Sequence, residues 1–452
     1  MKRKIVAGVL IWVCVFAYAV FAQKENYIWY FGDSAGVDFN SGSPVALTNS
    51  AMFQLEGCAS ISDANGNLLF YTDGVSVWDS SHTQMPNGNS LLGGLSSTQS
   101  ALIVPFPGNN LLYYIFTPNN GQGMASPLFS YSIVDMSLNN GKGDVTLKNI
   151  YLLSPVSEQL TAVKHSNGID VWVMVRLSNS NSHYAYLITS TGISPSPVIS
   201  NVGSTLFVGA GYMKFSPDGS KFAEGIPNCS LYDFNTSTGI VSNQKILSLP
   251  TGGAYGIEFS PMGNYLYCCL FNGTYGEIHQ WDITSNNDSI INSSHQLIAN
   301  TFSDGAMQLG PDGKIYVSLF SSYLGVINAP ELPGIQCNYI DSGIWLAGKY
   351  TQLGLPNFIT SYFLPTGINT NTKPQSQLSL FPNPATTHLT IQSSSKTNNT
   401  TVILHNTLGE QLLAKQFKEK ATVDISHLPQ GIYFVTVSNE KERVVRKIIK
   451  AP

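Results

Sequence analysis

The sequence predicts an all-β protein, and three observations lead to this fold class. Charged residues make up 11% of the 452 residues, whereas soluble domains have about a quarter. Aromatic residues account for another 11%, and short apolar stretches alternate with polar turns along most of the chain. Between the turns we find no periodic helical stretch of ten or more residues. These features are typical of a turn-rich extracellular β protein.

Residues 1–22 have the layout of a secretory signal peptide. Basic residues at positions 2–4 precede an apolar stretch from 5 to 21, and the small Ala22 stands before the polar Gln23. A membrane anchor is the alternative, but this stretch is near the short limit for a span and no second one follows. A lipoprotein leader would need a small residue before Cys14, where Val13 stands. We expect cleavage after Ala22 and no transmembrane segment in the mature chain.

A unit of apolar strand, polar turn and aromatic-rich strand recurs along the chain. Its clearest copy covers residues 211–225, where Ser216-Pro217-Asp218-Gly219 forms the turn. The six turn glycines are Gly66, Gly108, Gly168, Gly219, Gly263 and Gly313. They lie about 40 to 60 residues apart, around the ~40 to 50 residues of β-propeller blades. The repeat therefore predicts a β-propeller.

Each unit is predicted to contain three strands. In chain order the predicted strands are 58–62, 67–72 and 75–78; 100–104, 111–116 and 128–134; 160–164, 171–175 and 184–188; the hairpin 211–225 with 231–234; 255–259, 265–270 and 277–281; and 306–309, 314–319 and 324–328.

A seventh unit is split between the two ends of this region. Residues 354–360 resemble an inner strand without its partners, and residues 27–39 resemble the two strands that should follow it. Pairing them would close the ring and cover two exposed strand edges. We expect seven blades over residues 23–363, with six as the alternative. The Ser-Pro-Asp-Gly turn and the aromatic strand after it resemble TolB-like and WD-repeat-like propellers over about residues 27–363. This resemblance implies the fold but does not identify a ligand.

A linker and a second β domain follow the propeller. Residues 364–377 contain two prolines and almost no apolar residues, as a linker does. Residues 378–452 alternate between apolar and polar in short strands, which predicts a small immunoglobulin-like β-sandwich.

The tail carries four motifs in order: Phe-Pro-Asn-Pro at 381–384, Asn-Thr-Leu-Gly at 406–409, Leu-Pro-Gln-Gly-Ile-Tyr at 428–433 and a basic apolar end at 445–450. They resemble the C-terminal sorting domain of the type IX secretion system of Bacteroidetes. The resemblance implies recognition by outer-membrane secretion machinery and a secreted or cell-surface location on the external face of the outer membrane. The residues that would carry the sorting signal are Pro382, Asn383, Pro384, Gly409, Gly431, Tyr433, Lys447 and Lys450.

Several binding classes lack support in the sequence. The net charge is -4 and the sequence has no sustained basic block, so it does not predict a basic surface that would bind nucleic acid. The histidines show no zinc-type pairing, so we expect no metal and no cofactor. After the leader, five cysteines remain, and we expect them mainly as buried small apolar residues. One or two disulfides among them are the alternative.

Two motifs invite a chemical interpretation. Residues 32–36, Gly-Asp-Ser-Ala-Gly, match a nucleophile elbow around Ser34, but the residues after them cannot form the helix that such an elbow needs. Residues 63–67 place oxygen ligands as a calcium loop would, yet Leu68 stands where the loop needs glycine. We interpret both as turns and assign no catalytic residue.

Three functions stay open. The favoured one is a non-enzymatic module that binds a glycan, a peptide or a surface protein. The first alternative is a polysaccharide hydrolase or lyase with its site in the central pocket, for which carboxylates converging on the ring axis would be the sign. The second is a structural part of a surface or motility assembly.

Removal of residues 375–452 should abolish surface display, because the sorting signal would be lost while the propeller still folds in the periplasm. Protease accessibility on whole cells, with immunoblots of periplasmic and outer-membrane fractions, would measure this. Undiminished display of the shortened chain would contradict the assignment.

Overall fold

A computed structural model describes residues 23–119, 127–205, 210–225, 228–250, 253–271, 275–301, 305–364, 378–393, 400–406, 410–418, 420–438 and 443–451. The predicted signal peptide and all but the first residue of the predicted linker lie outside these residues. The chain divides into two compact units, residues 1–366 and 367–452.

The described part of the first unit forms seven antiparallel sheets in chain order. The first sheet holds β1 (Ile28–Phe31), β2 (Ala35–Asp38) and β3 (Val45–Leu47), and the second holds β4 (Ala59–Ser62), β5 (Leu68–Thr72) and β6 (Val77–Asp79). The third holds β7 (Leu102–Phe106), β8 (Asn109–Pro118), β9 (Phe129–Asp135) and β10 (Asp144–Leu153). The fourth holds β11 (Val156–Lys164), β12 (Val171–Leu177), β13 (Ser182–Thr189), β14 (Gly192–Ile193) and β15 (Val198–Asn201).

The remaining three sheets have four strands each. The fifth holds β16 (Met213–Phe215), β17 (Lys221–Glu224), β18 (Cys229–Asn235) and β19 (Ile240–Leu247). The sixth holds β20 (Gly253–Phe259), β21 (Tyr265–Phe271), β22 (Gly276–Asp282) and β23 (Gln296–Thr301), and the seventh holds β24 (Met307–Leu309), β25 (Ile315–Ser318), β26 (Tyr323–Ile327) and β27 (Tyr339–Trp345). One short helix, α1 (Asp288–Ser293), and three 3-10 turns, Asn139–Gly141, Gly334–Cys337 and Thr360–Phe363, complete the unit's described elements.

The turn glycines stand where the sequence places them, between the first two strands of each repeated unit. Gly219 has φ +73°, a conformation that favours glycine, and its N–H donates to the Ser216 carbonyl at 2.8 Å. The Asp218 carboxylate accepts from the Ser220 N–H at 3.0 Å and holds the turn. These residues serve the hairpin that connects β16 to β17.

The outermost strands were not predicted. β10, β19, β23 and β27 each add a strand outside the predicted three, and β15 extends the fourth sheet. Most of their side chains are exposed or half-buried, as in β27. Edge strands that pack on one side only carry a weak apolar alternation, so their sequences look like loops.

The sheets pack on one another in sequence. We call β4, β7, β11, β16, β20 and β24 the inner strands, and each contacts the next in this order, while β1 contacts β4. The seventh sheet returns to the first, since the Trp29 ring on β1 lies 5.5 Å from the Tyr316 ring on β25. This is a propeller-type β arrangement. All five described cysteines are buried.

Residues 351–363, which we call the axial segment, differ from the prediction. All but Leu353 are buried, and no strand of the described unit includes residues 354–360, although a strand was expected there. The ring of Phe358 lies 5.9 Å from Trp29, so the segment does lie beside β1. It does not pair with β1, and Pro356 in its middle has no N–H to give to such a ladder.

Its backbone bonds go to several sheets instead. The Asn357 N–H donates to the Cys58 carbonyl before β4 at 2.8 Å, and the Asn357 side-chain amide donates to the Leu160 carbonyl on β11 at 2.8 Å. The Leu353 carbonyl accepts from the Ala306 N–H before β24 at 2.7 Å. A segment that touches the second, fourth and seventh sheets at once lies on the axis around which they are arranged.

The second unit contains two antiparallel sheets over one apolar core. Its strands are β28 (Leu378–Phe381), β29 (His388–Ser393), β30 (Thr400–His405), β31 (Gln411–Phe417), β32 (Lys420–Asp424), β33 (Gly431–Ser438) and β34 (Arg443–Lys450). One sheet has the order β28-β29-β32 and the other β31-β30-β33-β34.

Phe358→Ala should lower the free energy of unfolding of the first unit by about 3 kcal/mol, because a fully buried ring on the axis would leave a cavity. Phe53→Ala is the matched control, since that ring is 57% exposed, and it should change stability by less than about 0.5 kcal/mol. Chemical denaturation of both variants would measure this. Equal effects would contradict a packed axis.

Candidate functional site

Five polar side chains lie where the inner strands begin. They are Glu56, Thr98, Glu158, Tyr212 and Tyr255, and we call them the axial cluster. Glu56, Thr98 and Tyr212 come just before β4, β7 and β16, while Glu158 and Tyr255 are the third residues of β11 and β20. They come from five neighbouring sheets.

Backbone hydrogen bonds hold these strand starts together. The Gly57 N–H donates to the Ser97 carbonyl at 3.0 Å, and the Tyr212 N–H donates to the Tyr255 carbonyl at 2.8 Å. The Gly211 N–H reaches the Thr98 hydroxyl at 3.3 Å. The cluster is thus positioned by main-chain contacts between sheets.

Glu158 is held as a hydrogen-bond acceptor. Its Oε2 atom accepts from the Thr98 N–H at 2.9 Å and from the Thr98 hydroxyl at 3.0 Å. Burial raises the pKa of Glu158, and the two bonds from Thr98 oppose that effect because they favour the charged form.

The Glu56 carboxyl has a pKa well above its ordinary value. Burial raises its pKa to about 7, and repulsion from the Glu158 carboxylate adds to this, while a hydrogen bond with Ser96 opposes it. Near neutral pH the Glu56 carboxyl therefore exists in both forms and can donate or accept a proton. Two carboxyls in different environments can take different roles.

Two phenols complete the cluster. The rings of Tyr212 and Tyr255 lie 5.7 Å apart and nearly perpendicular, at 73°. Burial raises the pKa of each phenol well above its ordinary value, and the neighbouring Glu56 contributes to both shifts. Both hydroxyls stay protonated at neutral pH and can donate hydrogen bonds.

The axial segment passes directly beside Glu56. A Cβ atom added at Gly354 would stand 1.3 Å from the Glu56 carbonyl oxygen, so only glycine permits this approach. The Leu353 N–H donates to the Leu55 carbonyl at 2.9 Å. The axis behind the cluster is therefore filled by the chain itself.

Exposed aromatic rings lie near the same end. Phe53, Phe320 and Tyr350, which we call the aromatic ledge, are 57%, 48% and 42% exposed. The Phe320 and Tyr350 rings are 6.0 Å apart, and Asp33 forms backbone bridges to both Phe53 and Tyr350. Phe53 is three residues from Glu56, so their Cα atoms are at most about 10 Å apart.

The two motifs weighed in the sequence are turns. The strand β2 continues after Ser34, which has φ +54° in the hairpin between β1 and β2. The Asp63 carboxylate accepts from the N–H groups of Asn65 and Asn67 at 2.8 and 2.9 Å. In the part of the chain that the structure describes, no group of three or more metal-ligating side chains is present.

A buried ionic network joins the fourth and fifth sheets away from the axial cluster. Arg176 on β12 pairs with Glu224 on β17, and the His183 ring contacts the same carboxylate at 3.2 Å. Burial disfavours the charge on Glu224, but His183 and Arg176 outweigh it and lower its pKa to about 2. Sheet packing is the evident role of this network.

The sequence did not single out the axial cluster. Glu56, Thr98 and Glu158 each stand ten residues before the turn glycine of their unit, which is a signal that aligned repeats would have carried. Their convergence depends on which sheets become neighbours, and no local pattern encodes that.

The second unit brings several predicted sorting residues together. The Asn383 side-chain oxygen accepts from the Ile449 N–H at 2.9 Å, and Gly431 pairs with Lys450 in the β33–β34 ladder. Lys447 lies on the same strand as Lys450, opposite Phe434, and the Tyr433 hydroxyl donates to the Pro429 carbonyl at 2.8 Å.

Pro382 and Pro384 flank Asn383 and follow cis peptide bonds. Gly409 lies outside the described residues. The first residues of the unit are thus fastened to its last strand.

Residues 379–451 match the family model described as the secretion system C-terminal sorting domain. The tail is a type IX secretion sorting domain. This sorting domain indicates export and a secreted or cell-surface location in Bacteroidetes, and it implies interaction with the secretion machinery.

Solved structures give distant likenesses. A "putative 6-phosphogluconolactonase" from Bacteroides fragilis is 12% identical over 73% of this chain and 97% of its own, with a TM-score of 0.47. A second protein of that description, from Bacteroides uniformis, is 12% identical over 71% and 98%, with a TM-score of 0.46. The Cps50 (Swd1) β-propeller domain of Myceliophteria thermophila is 8% identical over 65% and 93%, with a TM-score of 0.40. At such values they say nothing about what this chain binds.

No curated protein matches the sequence. Within the described ranges, no helix has the length and apolar character needed to cross a membrane.

Glu56→Gln should flatten the pH dependence of stability. Because Glu56 has a pKa of about 7 in the folded state and an ordinary value of 4.5, the folded state binds more protons than the unfolded state between these values. Its ionisation therefore destabilises the fold as pH rises through this window. Relative to the wild type, the melting temperature of the variant should rise between about pH 5 and pH 8. A constant difference across that range would contradict the raised pKa.

Proposed function

We propose that this chain is an exported binding module that holds a glycan at its axial cluster. In this proposal residues 1–22 are a signal peptide, 23–363 a seven-bladed propeller, 364–377 a linker and 378–452 the sorting domain with an immunoglobulin-like sandwich. The observation that carries the binding proposal is the convergence of Glu56, Glu158, Tyr212 and Tyr255 at one end of a filled axis.

The chemistry of the cluster fits sugar hydroxyls. The half-buried carboxylates of Glu56 and Glu158 can accept hydrogen bonds from sugar hydroxyls, whereas the hydroxyls of Tyr212 and Tyr255 are buried and belong to the wall of the site. The aromatic ledge adds flat apolar faces on which a sugar ring can lie. The cluster itself contains two acids and no cation, which disfavours uronic or sulfated sugars. A neutral or amine-bearing glycan is the class of ligand that matches.

Delivery would depend on the tail. We propose that the outer-membrane machinery recognises the edge where Asn383, Gly431 and Lys450 meet, together with Pro382, Pro384, Gly409, Tyr433 and Lys447. Support comes from the Ile449 N–H, which donates to the Asn383 side-chain oxygen, and from the pairing of Lys450 with Gly431. Asn383, Gly431 and Lys450 thus lie together beside the last strand, β34.

One observation favours a second function, hydrolysis of a polysaccharide. Glycosidases use one carboxyl as an acid with a raised pKa and another as an ionised partner. Glu56, with its pKa of about 7, would be the acid, and Glu158, which accepts two hydrogen bonds, would be the partner. The filled axis leaves this pair at the surface end of the ring.

Glu158→Gln should weaken glycan binding by about tenfold or more, because a charged hydrogen-bond acceptor would be lost. A glycan array on the secreted protein would identify the ligand, and calorimetry on the wild type and variant would measure the change. Glu410→Gln, an exposed carboxylate in the tail, is the control and should leave affinity unchanged.

The same samples separate the two functions. If the wild type releases new reducing ends from a polysaccharide and Glu56→Gln lowers the rate of release by about a hundredfold or more, hydrolysis replaces the binding proposal. Binding that Glu158→Gln leaves intact would place the ligand elsewhere.

A further inference from the structure

A second recess lies at the opposite end of the ring axis, where the inner strands finish. It has a volume of about 360 Å³ and is lined by Glu25, Lys164 and Tyr362, among others. Lys164 is the last residue of β11, and the carbonyl of Glu25 accepts from the N–H of Ser62, the last residue of β4. Glu158 and Lys164 are six residues apart on one strand, so this recess is about 20 Å from the axial cluster.

Two opposite charges in this recess lack ordinary partners. The Glu25 Oε2 atom is buried and has no hydrogen-bond partner within the described ranges. The Lys164 ammonium lies 5.7 Å from the centre of the Tyr362 ring, and no salt bridge of 4.0 Å or less joins it to Glu25. Buried charges normally pair or bind a ligand.

Their surroundings confirm that both are partly withdrawn from water. Burial raises the pKa of Glu25 and lowers that of Lys164, and each charge opposes the shift of the other. The two groups therefore interact through space across the recess without touching. A ligand that carried a matching charge for each would compensate the cost of their desolvation.

The rest of the wall is mixed, because the polar Gln23, Asn109 and Asn110 line it together with apolar residues. Phe106, Pro107, Ile169, Val171 and Ile359 line the recess beside the charged pair. Small-molecule sites commonly combine apolar walls with a few polar groups that fix orientation, in volumes from about 300 Å³ upward.

We propose that this recess binds a small zwitterion, a free amino acid or dipeptide with an apolar side chain. The ligand ammonium would face Glu25, its carboxylate would face Lys164, and its side chain would lie against Phe106 and Ile169. A simple anion would be repelled by Glu25 and a simple cation by Lys164, so a molecule with both charges fits best. This site is independent of the proposed glycan site, from which the axial segment separates it.

Calorimetry on the secreted protein, residues 23–452, can test this with three probes: alanyl-leucine, its N-acetyl form and its C-terminal amide. We expect the free dipeptide to bind and each blocked form to bind at least about tenfold more weakly, since each lacks one charge contact. Equal affinities for all three, or binding of none, would overturn the proposal.

Two variants then assign the ends. With Lys164→Met, the free dipeptide and its amide should bind equally weakly, while N-acetylation still weakens binding. With Glu25→Gln, the free and N-acetylated forms should bind alike, while amidation still weakens binding. Lys314→Met, in the corresponding turn of the seventh sheet, is the control and should behave as the wild type. If a variant fails to fold, the three probes on the wild type still decide.

Discussion

The first unit depends on how the axial segment satisfies its polar groups. Residues 351–363 are buried except for Leu353, so their buried backbone groups must find hydrogen-bond partners in the protein. The backbone bonds to Cys58 and Ala306 help to meet this need, and the Asn357 side chain adds a bond to Leu160, so sheets that are far apart in sequence are tied together. The same contacts set the distance between the sheets, fill the axis and divide its two ends. Both proposed binding sites exist as separate places because of this segment.

The distribution of charge follows a related constraint. Only 11% of the residues are charged, yet several of them are fully buried between sheets. In one such pair the Lys214 ammonium nitrogen lies 3.3 Å from a carboxylate oxygen of Glu258. Burial lowers the pKa of Lys214 and raises that of Glu258, while their mutual attraction works against both shifts. Such pairs, with Arg176 and Glu224, give the fourth, fifth and sixth sheets specific neighbours, which general apolar packing does not. Neighbouring blades with similar aromatic strands need that discrimination to stack in one order.

Local features were predictable from the sequence, and long-range ones were not. The turn glycines and Asp218 signal their hairpins because turn geometry selects particular residues within four positions. The tail was predictable for a similar reason, since each of its motifs is short and the motifs follow one another in the expected sequence along the chain. β27 and the other outer strands were missed because half-exposed edges need no strict alternation. Residues 354–360 resemble an inner strand because apolar Leu355, Phe358 and Ile359 lie close together, but Pro356 cannot donate to a strand ladder. The carboxyls of Glu56 and Glu158, about a hundred positions apart, become neighbours only through the stacking of three sheets, which no window of sequence contains.

The position of the axial segment along the chain governs when the first unit can become native. It is the last part of that unit to leave the ribosome and the translocation pore, yet it contacts sheets whose strands were made some 300 residues earlier. Closing such long loops is slow because the entropy must be lost before the contacts form. The earlier sheets therefore lack these contacts until residue 363 has been made. The sorting domain begins about 15 residues later, so the segment that completes the first unit is made shortly before the tail.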